Sequence, residues 1–82
     1  MTKHQLKAEC QAYDPVTGQL EIETSIPGLT GTAVAMVVTP IYIENLEQKP
    51  IIRLTQAEIA IYLLWVRAEK NPVAMVGQSF TF

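Results

Sequence analysis

Apolar and polar residues alternate along two segments near the start of the chain, residues 5–13 and residues 19–26. Successive side chains of a strand point to opposite faces of a sheet, so this period of two predicts two half-buried strands. Residues 14–18 between them read DPVTG, and aspartate, proline and glycine each suit a tight turn. The pattern therefore predicts a β-hairpin, with Cys10 among the small apolar residues of its buried face.

Residues 32–39 have a different pattern, because they are apolar on both faces and carry no charge. Such a segment is typical of a central strand that is covered on both sides. A buried helix over residues 33–43 fits the same composition, and the sequence leaves that choice open. The segments that follow are predicted to be a continuation of the strand over residues 41–43 after Pro40, a polar loop over residues 44–50, and a short strand or entry segment over residues 51–54.

A long helix is predicted to begin after Thr55. Thr55 and Glu58 have the spacing of a capping box, in which the side chain of each residue bonds to the backbone N–H of the other. The predicted helix runs to about Lys70. It ends there because Asn71 precedes Pro72, and a residue before proline disfavours the helical region. Residues 73–82 are predicted to form a last strand, with Gly77 as a candidate bulge.

These elements define an α+β fold in a single domain over residues 1–82. The predicted architecture is an antiparallel sheet of four to five strands with one long helix packed on a face, in the order β-β-β-(β)-α-β. A chain of 82 residues buries only about 60% of its unfolded surface, so the core of a monomer is thin. A partner that covers further apolar surface is therefore plausible on size alone.

The predicted helix carries more apolar residues than one buried face needs. Positions placed at 100° steps fall on two apolar faces, one with Ile59, Tyr62, Leu63 and Val66 and the opposite one with Ala57, Ile61, Leu64, Trp65 and Ala68. One sheet covers one face, so the other must meet either a segment of the same chain, such as residues 33–43, or a partner. The sequence does not determine which face packs on the sheet. The interface predicted here consists of Ile61, Leu64, Trp65, Ala68 and Arg67.

Composition narrows the classes of function. Apolar residues make up 49% and charged residues 17% of the chain, against about 25% charged in typical domains, which excludes an intrinsically disordered chain. The formal net charge of −2 offers no basic surface for nucleic acid or anionic lipid. No apolar run approaches the ~20 residues of a membrane span. One cysteine and the lack of a signal-peptide pattern indicate a reducing, cytoplasmic compartment.

Few residues of the chain could carry chemistry, and each has a simpler interpretation. His4 and Cys10 are the only residues of their types and lie ~20 Å apart along a strand, so no metal site is predicted. A catalytic triad would need His4 as the base and Ser25 or Ser79 as the nucleophile, with Asp14 as the orienting group. Asp14 is already expected to serve the turn, so no triad is predicted.

Three further features are interpreted as structural. Glu21 and Glu23 share a strand face and are expected to be solvated rather than to act as an acid–base pair. The glycines of residues 28–31 are expected in turns, because no Lys-Ser/Thr follows them as in a phosphate loop. Phe80 and Phe82 are expected in a core or an interface rather than as base-stacking groups. The sequence thus predicts no catalytic residue, cofactor or small-molecule substrate.

The resulting expectation is a small, non-enzymatic protein-interaction module. Its predicted partner is a second copy of the chain, because most soluble oligomers are symmetric dimers. Two alternatives stay open: a small inhibitor or adaptor of the phage type that binds a larger complex, and a small enzyme with a site that the sequence does not reveal. A stable homodimer would favour self-association, whereas a soluble monomer with an exposed Trp65 would favour a foreign partner.

Overall fold

The computed structural model describes residues 5–81, which form a four-stranded antiparallel sheet with helices packed on one face. The strands are β1 (Lys7–Asp14), β2 (Gln19–Ser25), β3 (Val34–Val38) and β4 (Ser79–Thr81). The helices are α1 (Pro40–Leu46), α2 (Gln56–Arg67) and α3 (Pro72–Met75), and a 3₁₀ turn covers Ile51–Arg53. The order across the sheet is β3-β2-β1-β4. The predicted α+β class and the long helix are confirmed.

The β1–β2 hairpin forms as its turn chemistry predicts. The N–H of Gly18 donates to the carbonyl of Asp14 at 2.7 Å, and the N–H of Val16 donates to the Asp14 carboxylate at 2.9 Å. Gly18 has a φ of 77°, a left-handed conformation that favours glycine. The strands of the hairpin are therefore joined by a turn in which Asp14 and Gly18 both have structural roles.

The alternation along β1 is interrupted by a bulge. Cys10 pairs with Ile22 and Ala12 pairs with Glu21, so Gln11 is the extra residue. Beyond the bulge Tyr13 lies on the core side and Ala12 on the outer side, the reverse of the uninterrupted alternation predicted for residues 5–13. Cys10, which precedes the bulge, is buried in the core as predicted.

The apolar segment predicted as one strand or one helix is divided between the two. β3 covers the first part, and α1 begins at Pro40 where the sequence predicted a continued strand and then a polar loop. Thr39 caps α1, because its hydroxyl accepts from the N–H of Tyr42 at 3.2 Å, and proline is well suited to a first helical turn. The optional fourth strand is replaced by α1 and by the 3₁₀ turn.

The capping box of α2 is confirmed, since the N–H of Glu58 donates to the Thr55 hydroxyl and the N–H of Thr55 donates to the Glu58 carboxylate. α2 ends at Arg67, earlier than predicted, and Glu69 and Lys70 then adopt positive φ values of 57° and 60°. The chain continues into the short helix α3, which the sequence analysis did not anticipate. The last strand is consequently much shorter than the predicted residues 73–82.

The core lies between the inner face of the sheet and the helices. Its buried apolar side chains come from every strand except β4 and from all three helices: Ala8, Cys10, Leu20, Ile22, Val38, Ile43, Ala60, Ile61, Leu64, Trp65, Ala68 and Met75. The main contacts of α2 with the sheet are with β1 and β4. β3 therefore lies at the side of the sheet that α2 covers least.

Candidate interaction surfaces

The structure corrects the choice of the partner-facing side of α2. Ile61 and Leu64 are 0% exposed and Trp65 and Ala68 are 2% exposed, because this face packs against the sheet. These four residues belong to the monomer's own core and offer no surface to a partner. The indole N–H of Trp65 is buried without a hydrogen-bond partner in residues 5–81, so Trp65 contributes through packing.

Arg67, the fifth residue of the predicted interface, is exposed but already has contacts within the chain. Its guanidinium donates to the carbonyl of Ser79 at 3.4 Å and lies 5.9 Å from the centre of the Phe80 ring. The guanidinium thus lies against β4. Arg67 therefore covers this edge of the sheet, and its predicted contact with a partner stays a prediction.

The second apolar face of α2 points away from the sheet and forms one wall of a groove. We call this the helix groove; it has a volume of about 470 Å³. Its lining consists of Leu46, Glu47, Lys49, Ile51, Leu54, Ile59, Tyr62 and Leu63. Ile51 at its rim is 71% exposed. The structure therefore brings together the outward residues of α2 and the 3₁₀ turn, which the sequence analysis treated as separate features.

Two tyrosine–glutamate hydrogen bonds hold α1 and α2 together beside this groove. The hydroxyl of Tyr42 donates to Glu58 at 2.8 Å, and the hydroxyl of Tyr62 donates to Glu47 at 2.9 Å. Lys70 forms an ion pair with Glu47 at 3.2 Å. These contacts connect α1 and the residue after it to α2, and Glu47 and Tyr62 also line the groove.

The same contacts shift the acidities of both carboxyl groups. The bond from Tyr62, followed by the ammonium of Lys70, lowers the pKa of Glu47 below its usual value. The backbone N–H of Thr55, followed by the Tyr42 hydroxyl, lowers the pKa of Glu58. Both carboxylates are thus stabilised in the ionised form by contacts that hold the helices in place.

The outer edge of β3 forms a second candidate surface. Within residues 5–81, β3 pairs with β2 alone, so its other edge has no neighbouring strand. Val34 and Val37 are each 56% exposed, and no residue of Val34–Val38 is charged. An open and apolar sheet edge is a template for pairing with another strand.

The other residues considered for chemistry occupy structural positions. Glu21 and Glu23 lie on the outer face of β2, opposite Val37 and Ala35 of β3. Gly28 and Gly31 have φ values of 88° and 79° and lie in the turns before β3, as predicted. His4 and Phe82 lie outside the described residues.

Neither a cluster of metal ligands nor a membrane-spanning helix occurs within residues 5–81. No three histidine, cysteine, aspartate or glutamate residues in this range lie together as a metal site would require. In the same range no helix has the length and apolar character needed to cross a membrane.

Comparison with protein-family models, characterised proteins and solved structures finds no match to this chain. Its function is therefore argued from its own surfaces.

Proposed function

We propose that this protein is a small, non-enzymatic protein-interaction module that associates with a second copy of itself. The observation that supports this is the set of large apolar side chains left exposed after folding, which includes Val34 and Val37 on β3 and Ile51 at the rim of the helix groove. Each valine, leucine or isoleucine that a partner buries contributes roughly 1.5–3 kcal/mol before the entropic cost of association. A two-fold dimer is the commonest way to bury such a surface.

The positions of the polar groups support the non-enzymatic part of the proposal. The two carboxyl groups with lowered pKa values, Glu47 and Glu58, are each engaged in contacts that connect or cap helices. A catalytic acid or base usually requires a pKa moved towards neutrality in a cleft. A cytoplasmic location belongs to the same proposal and is supported by the free, buried thiol of Cys10.

Sedimentation velocity across a concentration series tests self-association. We expect the mass to rise from the 9.1 kDa of one chain towards twice that value between about 1 µM and about 1 mM. The mass should stop at the dimer, because a two-fold contact is closed. A chain that remains monomeric over the whole range would contradict the proposal.

A second candidate function, an inhibitor or adaptor of a larger protein complex, is favoured by the helix groove. The groove is concave and mostly apolar, which suits the insertion of apolar side chains from an amphipathic segment. None of its lining residues belongs to β3. A foreign protein could therefore occupy the groove while the sheet edge serves another purpose.

Two neighbouring isoleucines provide a matched test of this candidate. Ile51 lines the groove, whereas Ile52 is 89% exposed and is not part of its lining. In affinity capture, Ile51→Asp is expected to lose one specific protein that wild type and Ile52→Asp both retain. Identical captured proteins for all three chains would contradict a role for the groove.

A further inference from the structure

The position of β3 in the sheet conflicts with its composition. A strand that is apolar on both faces is typical of the middle of a sheet, where both faces are covered. β3 reads VAMVV and nevertheless lies at an edge. Exposed edge strands that do not pair are usually short, charged or interrupted by proline, and β3 has none of these features within its five residues.

The exposure of β3 extends to both faces of the sheet. Val37 lies on the outer face opposite Glu21, and its side chain is 56% exposed. Val34 lies on the inner face opposite Thr24 and is also 56% exposed, because the main contacts of α2 are with the other half of the sheet. A new strand beside β3 would cover apolar side chains on both faces at once.

We propose that β3 is the contact through which two copies of this chain pair, edge to edge and antiparallel. This inference rests on the proposed self-association and names its surface. A register centred on Met36 aligns all five residues of each strand, with Val34 opposite Val38 and Ala35 opposite Val37 of the second copy. The two-fold axis is perpendicular to the sheet, so the helices of both copies lie on the same side. The result is one continuous sheet of eight strands, four from each copy, with β3 in its centre.

The β3 strand is electrostatically compatible with itself. No charge would face a like charge across the new pair, because β3 carries none. On the neighbouring strand, Glu21 and Glu23 lie opposite Val37 and Ala35. Across the dimer they would be three strand spacings from their counterparts, about 14 Å, which is beyond the screening length of about 8 Å at physiological salt.

The small size of the β3 contact predicts a weak dimer. Five residues on each side are far fewer than the roughly 20–30 a side of a standard interface, which buries about 1,200–2,000 Å² in total. The dimer should therefore dissociate on dilution rather than persist at all concentrations. A concentration series is accordingly part of the test.

Lysines placed on the open edge of β3 test this contact, with the mass measured by sedimentation velocity. In Ala35→Lys/Val37→Lys each lysine lies opposite a glutamate of β2 in its own chain, so the monomer fold should tolerate it. Across the dimer contact the same lysines bring like charges together. Val73→Lys on α3, which replaces a valine that is 66% exposed, is the control. We expect at least about a tenfold weaker dimer for the double variant and no change for the control.

The outcomes separate the two proposals. A wild-type dimer that the double variant leaves intact would overturn the β3 assignment while self-association stands. A wild-type chain that is monomeric at every concentration would overturn both.

If circular dichroism shows that the lysine variant is unfolded, disulfide cross-linking of Met36→Cys tests the β3 contact instead. Residues directly opposite in an antiparallel pair have Cα atoms about 4.5–5.5 Å apart, within the range that a disulfide spans. Mild oxidation should then yield a covalent dimer of Met36→Cys and none of Val73→Cys. Failure of Met36→Cys to cross-link would contradict the proposed register and contact.

Discussion

The two edges of the sheet are built differently. β4 is only three residues long and carries Ser79 and Thr81 on its outer face, and the guanidinium of Arg67 lies against it through Ser79 and Phe80. β3 is longer, uncharged and exposed on both faces. Proteins commonly protect an edge that is not meant to pair by shortening it or placing charge beside it. β4 is therefore a protected edge, whereas β3 has none of these protections.

The largest expected effect is a loss of folding stability when the core between α2 and the sheet is cut back. Leu64→Ala should lower the free energy of unfolding by about 2–5 kcal/mol, because it removes a fully buried side chain between α2 and the sheet. Leu63→Ala, on the half-buried groove side of α2, should cost less than half as much. Denaturant titrations at one fixed protein concentration measure both values. Equal losses would contradict the assignment of the two faces of α2.

The next effect compares the edges directly through two matched variants. Ala35→Lys on β3 places a lysine opposite Glu23, and Ser79→Lys on β4 places one opposite Glu9. Because the account makes β3 the dimer contact, Ala35→Lys should weaken the dimer about tenfold and Ser79→Lys should leave it unchanged. Sedimentation velocity on both variants measures this difference in dimer affinity. Dissociation caused by Ser79→Lys would show that the protected and open edges have been assigned the wrong way round.

A smaller loss of folding stability is expected when Arg67, which covers β4, is shortened. Arg67→Ala should reduce the free energy of unfolding by about 0.5–1 kcal/mol, since it loses an exposed cation–π contact with Phe80. The dimer mass should not change. A loss of dimer in Arg67→Ala would place this residue in the interface, as the sequence analysis expected.

The smallest effect is a pH dependence that belongs to the helices rather than to either edge. The folded pKa of Glu58 lies below its usual value of 4.5 because of the Thr55 N–H and the Tyr42 hydroxyl. Its stabilising contribution is present above about pH 4.5 and is lost as the pH falls through the lower, folded value. Thermal unfolding should therefore show a smaller loss of stability between pH 7 and pH 4 for Glu58→Gln than for wild type. Parallel curves for the two chains would contradict this role of Glu58.

Local chemistry made parts of this fold predictable. The turn at residues 14–18 and the capping box of Thr55 and Glu58 depend on neighbours in sequence, and both form as expected. The start of α1 had a comparable local signal. Thr39 is a capping residue, and Pro40 suits the first helical turn. Pro40 was instead predicted to interrupt a strand. Thr39 and Pro40 together are a helix-start signal that separates β3 from α1.

The positions of the long-range contacts were not predictable in the same way. The bulge at Gln11 depends on how β1 pairs with β2, and alternation along one strand does not reveal it. α2 is apolar on two faces, so periodicity identifies both faces but cannot say which of them meets the sheet. The central-strand composition of β3 was recognised, but its place at an edge follows only from the sheet order.

Backbone hydrogen exchange of the unmodified chain is the most direct test of whether β3 pairs with a second copy. In an edge strand the amides that point away from the neighbouring strand exchange readily, and pairing with a second strand protects them. Exchange is compared at about 1 µM and about 1 mM, with residues 79–81 of β4 as the internal reference. If β3 pairs with a second copy, exchange over residues 34–38 slows as concentration rises while β4 is unchanged. Equal exchange of β3 at both concentrations, or slowing confined to β4, would contradict it.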